Sequence, residues 1–214
     1  VTDFSPGVRT APYAIAAMAA RYAMERGAWH EAMQLQLHPT KLPFIDAITH
    51  FARALGAARS GDAAAAEKDA EALARLHKAL QDANDNYWAT EVEIQRLGVA
   101  GWIALAQGKT ENALKFMRAA ADLEDKNEKS IVTPGRIVPA RELLGDMLLE
   151  LNQPALALKE YEASQTREPN RFRGFYGAAR AAEAAGDRQK AADYYGNLLA
   201  LSKNSDGTRP ELAR

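Results

Sequence analysis

The sequence predicts an all-α fold, a solenoid of about five helical hairpins, and three observations predict it. Alanine supplies much of a hydrophobic content of 47%, while aromatic residues make up only 7%. That mix suits closely packed helices better than the β-branched and aromatic faces of a sheet. Residues 171–201, RFRGFYGAARAAEAAGDRQKAADYYGNLLAL, hold two apolar-periodic segments that flank Gly186-Asp187 and contain no proline. Glycine past a helix end and Asp at the start of the next make an antiparallel pair with a very short turn. Finally, the turn recurs. Gly27, Gly61, Gly108, Asn152 and Gly186 are each followed five residues on by alanine, at Ala32, Ala66, Ala113, Ala157 and Ala191. Asn at the fourth turn fits, being the next-best residue for a left-handed helix terminus.

Taken in order, residues 1–10 read as an extended lead-in because Ser5-Pro6-Gly7 opposes a helix. The first hairpin takes 11–26 and 29–37, with Pro12 tolerated in a first turn and His38-Pro39 as the stop. Pro39 and Pro43 bracket a linker. The second hairpin pairs 44–60 with a long helix over 62–83, which Asn84-Asp85-Asn86 breaks. The third pairs 87–107 with 110–123. Residues 124–135, EDKNEKSIVTPG, form the longest loop, marked by charge density and a closing Pro-Gly. The fourth hairpin pairs 138–151 with 155–166 and ends at Glu168-Pro169-Asn170; the fifth covers 170–203. The tail is polar until Arg209-Pro210-Glu211-Leu212, which could open a further short helix. Residues 1–214 are read as a single solenoid domain with hairpins at about 11–37, 44–83, 87–123, 138–166 and 170–203.

Three further positions carry a resemblance. Seven residues before each turn stands a small residue: Ala20, Ala54, Gly101, Gly145 and Ala179. Nine after it stand Met117, Tyr161 and Tyr195 in the last three hairpins, where the first two have Gln36 and Ala70. Pro169 precedes the fifth hairpin. Together with turn-to-turn intervals of 34, 47, 44 and 34 residues, two of which equal the ~34-residue period, this pattern resembles the tetratricopeptide repeat, most fully over 95–203. The resemblance implies a right-handed α-α superhelix whose first helices line a concave face. The segments at 48–62, 118–151 and 167–187 also resemble the C-terminal part of larger, uncharacterised bacterial tetratricopeptide proteins. That likeness implies a missing N-terminal half, and the chain, which begins at Val1 without a signal-peptide pattern, reads as a fragment or processed form.

Charge and composition narrow the function classes. With 27 basic and 28 acidic residues the net charge is -1, so neither a nucleic-acid nor an acidic-membrane footprint appears. No apolar run approaches the ~18–20 residues that span a bilayer. The chain has no cysteine, which excludes disulfides and thiolate-held metals. Sequence motifs for phosphate, dinucleotide, zinc-protease or serine-hydrolase chemistry are absent. His30, His38, His50 and His77 fall on different elements without ligand spacing, and read as ordinary surface or boundary histidines. No catalytic residue, cofactor or metal is expected.

What the register suggests is binding. The concave-face positions stand about thirteen, ten, six, three and two residues before each turn in the repeat the chain resembles. They select Arg21 in the first hairpin, Phe51 and Arg59 in the second, and Gln95 and Trp102 in the third. In the fourth they select Glu142 and Asp146, which form an acidic stripe with Glu150, and in the fifth Arg173, Tyr176 and Arg180. Packing between helices is the simpler reading for Phe51 and Trp102, and a solvated face is the rival reading for the stripe. Tyr176 and Arg180 stand where a carboxylate clamp would need Lys and Asn, so a chaperone-tail receptor is not expected.

The expected function is a protein- or peptide-binding scaffold; the alternative is the structural or regulatory half of an enzyme or metal-binding protein whose active part lies in the missing N-terminal region. The expected partner is a protein or peptide segment, the missing N-terminal part of the same protein included. Neither nucleic acid nor membrane is expected as a partner. The predicted first helix is apolar nearly all round, through Tyr13, Ile15, Met18, Tyr22 and Met24. It is therefore expected to need a cover, from residues 1–10 or from a homodimer through the N-terminal hairpin.

Overall fold

The computed structural model describes residues 10–128 and 136–213. The expected lead-in over 1–9, and 129–135 of the expected loop, lie outside the described residues. Among the described residues the secondary structure is entirely helical. Ten α-helices form five hairpins: α1 (Thr10–Glu25) with α2 (Trp29–Met33), α3 (Pro43–Arg59) with α4 (Ala63–Asp82), α5 (Asn86–Ala106) with α6 (Thr110–Lys126), α7 (Ala140–Glu150) with α8 (Pro154–Arg167), and α9 (Phe172–Ala184) with α10 (Arg188–Leu201). A short 3-10 turn, Pro210–Ala213, sits where the tail was expected to open a helix.

The five turns share one backbone solution. Gly27, Gly61, Gly108 and Gly186 have φ between 63° and 84°, and Asn152 has φ 55°. At each, the residue after the turn donates back into the helix: Asp62 N to Ala57 O at 2.9 Å, Lys109 N to Ala104 O at 2.8 Å, Gln153 N to Leu148 O at 2.8 Å, Asp187 N to Ala182 O at 2.9 Å and Ala28 N to Ala23 O at 3.0 Å. This paired closure satisfies carbonyls that a helix end would otherwise orphan. Asp62 and Asp187 then start the next helix, accepting from Ala65 N at 2.9 Å and Lys190 N at 3.1 Å.

Small residues set how near the helices come. Ala20, Ala54 and Ala179 are fully buried, as are Ala32, Ala66, Ala113 and Ala157. A Cβ at Gly101 would stand 3.1 Å from Ala113 O, and one at Gly56 only 2.5 Å from Trp29 O. At those points backbone lies against backbone.

The chain divides into two compact units, Val1–Ala140 and Arg141–Arg214. In the first, α1, α3 and α5 lie side by side, α2 packs on α3, α4 on α3 and α5, and α6 on α5. The N-terminal ends of the three parallel helices meet in an aromatic cluster. Phe44 and Trp88 stack at 4.1 Å between ring centroids, Tyr13 lies 5.6 Å from Trp88, and Tyr87 meets Trp88 edge-on at 4.9 Å. In the second unit α9 packs on both α8 and α10.

Two expected boundaries move. The helix expected over 29–37 stops at Met33, because the Leu35 carbonyl is taken by Arg53 Nη1 of α3 at 2.8 Å rather than by a further turn. The helix expected to end at 123 runs to Lys126, because Glu124 in its last turn is buried and bound, as described below.

Gly61 and Gly108 have open space around the position of a Cβ, so only their positive φ resists substitution. Replacing either by valine is expected to cost about 1 kcal/mol or more, read as a lowered thermal midpoint. Gly177→Ala is expected to cost more, about 1–3 kcal/mol, since its Cβ would overlap the Tyr161 ring.

Candidate functional site

Nine of the ten register residues fall into three environments. Phe51 and Trp102 are buried between helices, at 3% and 2% exposure. Arg59 lies over both Trp29 and Trp102, its guanidinium 4.2 Å and 3.9 Å from the two ring centroids, so it ties α2, α3 and α5 together by cation–π contact. These three hold the first unit together, and the face on which they were expected is covered at that point. Gln95 Oε1 and Trp102 Nε1, both on α5, are buried without a hydrogen-bond partner among the described residues.

Glu142, Asp146 and Arg173 form a second environment inside the Arg141–Arg214 unit. Glu142 has no exposed side chain and accepts from Arg171 Nε at 2.7 Å, with Arg173 Nε at 3.9 Å from its other oxygen. Asp146 pairs with Arg173 and accepts from the Tyr161 hydroxyl at 2.5 Å. Arg141 pairs with Glu160 across α7 and α8. Glu142 and Asp146 of the acidic stripe are therefore paired with arginines from the start of α9, while Glu150 is exposed. The reason is steric. Gly145 and Gly177 leave a slot that the Tyr161 ring fills, with a Cβ at Gly145 falling 2.8 Å from it. The ring delivers its hydroxyl to Asp146, and α9 comes close enough for Arg171 and Arg173 to reach the carboxylates. Burial first, and then Asp146, push the Tyr161 hydroxyl pKa well above the usual tyrosine value.

Tyr176 and Arg180 make the third environment. Arg180 is exposed and its guanidinium lies 5.6 Å from the Tyr176 ring centroid; Tyr176 is half-buried. Two turns of α9 thus present a cation and an aromatic ring outward.

Arg21, the register residue of α1, leads to a feature the sequence reading missed. Its Nη2 donates to the backbone carbonyl of Arg136 at 2.8 Å. Arg136 itself is buried. Its Nη2 donates to the carbonyls of Glu124 at 3.0 Å and Asn127 at 2.6 Å, and its guanidinium lies 3.2 Å from the Glu124 carboxylate and 3.7 Å from Glu91. Asn127 Nδ2 donates to Glu91 at 2.7 Å, and the other end of the segment is fixed by Ala140 N donating to Glu124 Oε1 at 3.0 Å. Ile137 and Val138 between them are 4% exposed each. Residues 136–140 are thus a short segment held by α1, α5 and α6 at once. The one sequence signal was an aliphatic pair, Ile137-Val138, after a run of charge.

His30 and His38 are exposed, and His50 and His77 are boundary residues. His50 Nδ1 lies 2.6 Å from buried Asp69, which also accepts from Arg53 Nε at 3.0 Å; the three fasten α3 to α4. His77 sits beside Glu93 and Arg96, and burial lowers its pKa more than Glu93 raises it. Among the described residues there is no group of three or more His, Asp or Glu that could hold a metal ion. No helix among them is long and apolar enough to cross a membrane.

The chain matches no family model and no curated protein. Among solved structures it is similar to MamA from MSR-1, at 17% identity over 90% of this chain and 98% of that one, with a TM-score of 0.44. MamA from AMB-1 aligns at 17% identity over 92% and 100% of the two chains, TM-score 0.45. A Podosopora anserina chain described as a kinesin light chain with nearly identical TPR-like repeats aligns at 15% identity over 91% and 95%, TM-score 0.49. The assignment of a tetratricopeptide-like helical repeat rests on this chain's own five turns and small-residue contacts.

Glu142→Ala would remove the buried carboxylate that Arg171 and Arg173 meet, and a loss of about 3–5 kcal/mol is expected in urea unfolding. The exposed Glu71, paired loosely with Arg75 at 4.0 Å, should lose no more than about 0.5 kcal/mol on the same change. Tyr13, whose pKa burial and then Glu91 raise to about 12, adds an alkaline signature. A raised folded-state pKa contributes stability that is complete below the unfolded value near 10 and is lost as pH climbs to about 12. Phenolate absorbance should therefore show Tyr13 and Tyr161 titrating above the ordinary tyrosine range, with the unfolding midpoint falling in that same window.

Proposed function

We propose that the chain is a protein-binding scaffold that takes an extended segment against its helix layers. The observation that carries this reading is the hold on residues 136–140. An arginine enters a cup of two carboxylates and two carbonyls, two aliphatic side chains are buried behind it, and Arg21 fixes the backbone from the other side. Every group of the cup stands on a helix or at its C-cap, so little ordering is needed on the receptor side. The chemistry of that cup fits a segment of the form Arg-aliphatic-aliphatic-Pro, and the chain's own residues 136–139 have it. Tyr176 and Arg180 supply a second ligand-facing pair on α9, of residue types that anchor interfaces.

A tethered segment competes at an effective concentration in the millimolar range. A labelled peptide TPGRIVPA is therefore expected to bind the wild-type chain weakly. Arg136→Ala, which loosens the chain's own segment, should strengthen peptide binding about tenfold or more. Adding Glu124→Gln should remove most of that gain, because the cup loses its charge. Should Arg136→Ala prove unstable, the peptide should raise its thermal midpoint. A folded Arg136→Ala chain that takes up no peptide would sink the proposal.

A further inference from the structure

The first helix carries an exposed apolar row. Ile15, Met18 and Tyr22 are 53%, 70% and 64% exposed, on one side of α1 at i, i+3 and i+7. These three stand twelve, nine and five residues before their turn glycine. The same positions in the other hairpins say what the row is for. Nine before the turn stand Ala52, Val99, Leu143 and Gly177; five before stand Gly56, Ile103, Met147 and Ala181; all eight are buried. In α3 and α9 the neighbours belong to the hairpin before. Gly56 lies against the backbone of Trp29 and Met33 in α2, and Gly177 and Gly174 lie against Tyr161 and Gln165 in α8. The row on α1 is thus the face by which a hairpin stacks on a preceding second helix; among the described residues the Arg26 guanidinium lies over Tyr22 at 4.0 Å.

The last hairpin ends in the complementary face. In α8 the residues that meet α9 stand nine and thirteen after the turn, at Tyr161 and Gln165; in α2 those that meet Gly56 stand two to six after it. On α10 the same offsets give Tyr195, Leu199 and Ala192. Leu199 is 58% exposed, Leu201 beside it 45%, and Ala192 is exposed. Apolar side chains face one another across the two ends. The large Tyr22 of α1 would meet the small Ala192, Met18 would meet the Tyr195 ring, and Ile15 would meet Leu199. The Tyr22–Ala192 pairing is large against small, as Tyr161 is against Gly145 and Gly177 within the chain.

We infer that α1 of one copy stacks on α10 of a second copy, continuing the repeat from chain to chain. The contact is head-to-tail, using two different faces. It therefore joins copies into a ring or an open row rather than a closed pair across α1. The occupant is a second copy because the chain itself carries the matching face, set by the same repeat rule that stacks α9 on α8.

Sedimentation or light scattering over a range of concentrations reads the outcome. The wild-type mass should climb past that of a dimer. Met18→Glu and Leu199→Glu change exposed side chains, and circular dichroism should show both folded. Each should be monomeric alone, because each lacks one of the two faces. An equimolar mixture should form a one-to-one dimer and nothing larger, since it contains one intact head and one intact tail. A wild-type chain that stays monomeric throughout would overturn the inference. So would a Leu199→Glu chain that still dimerises, which would indicate a symmetric pair across α1, and so would variants that fail to associate on mixing.

Discussion

Helix backbones can touch only where no side chain stands between them, and everything else in this chain follows from where it places its alanines and glycines. Ala20, Ala54, Gly101, Gly145 and Ala179 sit at one position of each hairpin, and Ala32, Ala66, Ala113, Ala157 and Ala191 at the facing one. Close approach at those points brings longer side chains on either side into register. The Tyr161 ring fills the slot between Gly145 and Gly177, while Arg59 reaches both Trp29 and Trp102. Dispersion over such contacts, each small, adds up because little space is left empty.

The same closeness changed the meaning of the charges. An acidic stripe on α7 looks like a ligand-facing feature while the helix is considered alone. Once α9 is seated at glycine distance, Arg171 and Arg173 lie within reach, and Glu142 ends with no exposed surface. Buried pairs of this kind rarely add much net stability over an apolar core, yet they punish any substitution that leaves one partner alone. They also reject other seatings of α9, since a shifted helix would leave two carboxylates unpaired. Asp69 with His50 and Arg53, and Glu124 with Arg136, repeat the device in the first unit.

Recognition and architecture share their parts here. The cup around Arg136 uses side chains of α5 and α6 that a helical repeat would otherwise turn to solvent, together with the one register residue of α1, Arg21. Residues 136–140 are held there by their backbone as well as their side chains. Arg21 grips a carbonyl, and Glu124 accepts a backbone N–H from Ala140. A surface that holds five residues of its own chain in this way needs no further folding to hold a similar segment from elsewhere.

The sequence by itself determined the helices, their pairing and their turns. These depend on local rules: positive φ at Gly or Asn, Asp at a helix start, and alanine at a fixed distance from each turn. Small residues at fixed spacing also made the stacking positions legible, including the exposed row on α1. Tertiary structure alone decided the fate of the polar residues. Whether Glu142 meets water or Arg171, whether Trp102 faces a groove or Arg59, and whether 136–140 is a free linker or a bound segment all turn on contacts between residues far apart in the chain. Periodicity places a side chain on one side of its own helix. Only the neighbouring helices, brought close by the glycines and alanines, determine what lies on that side.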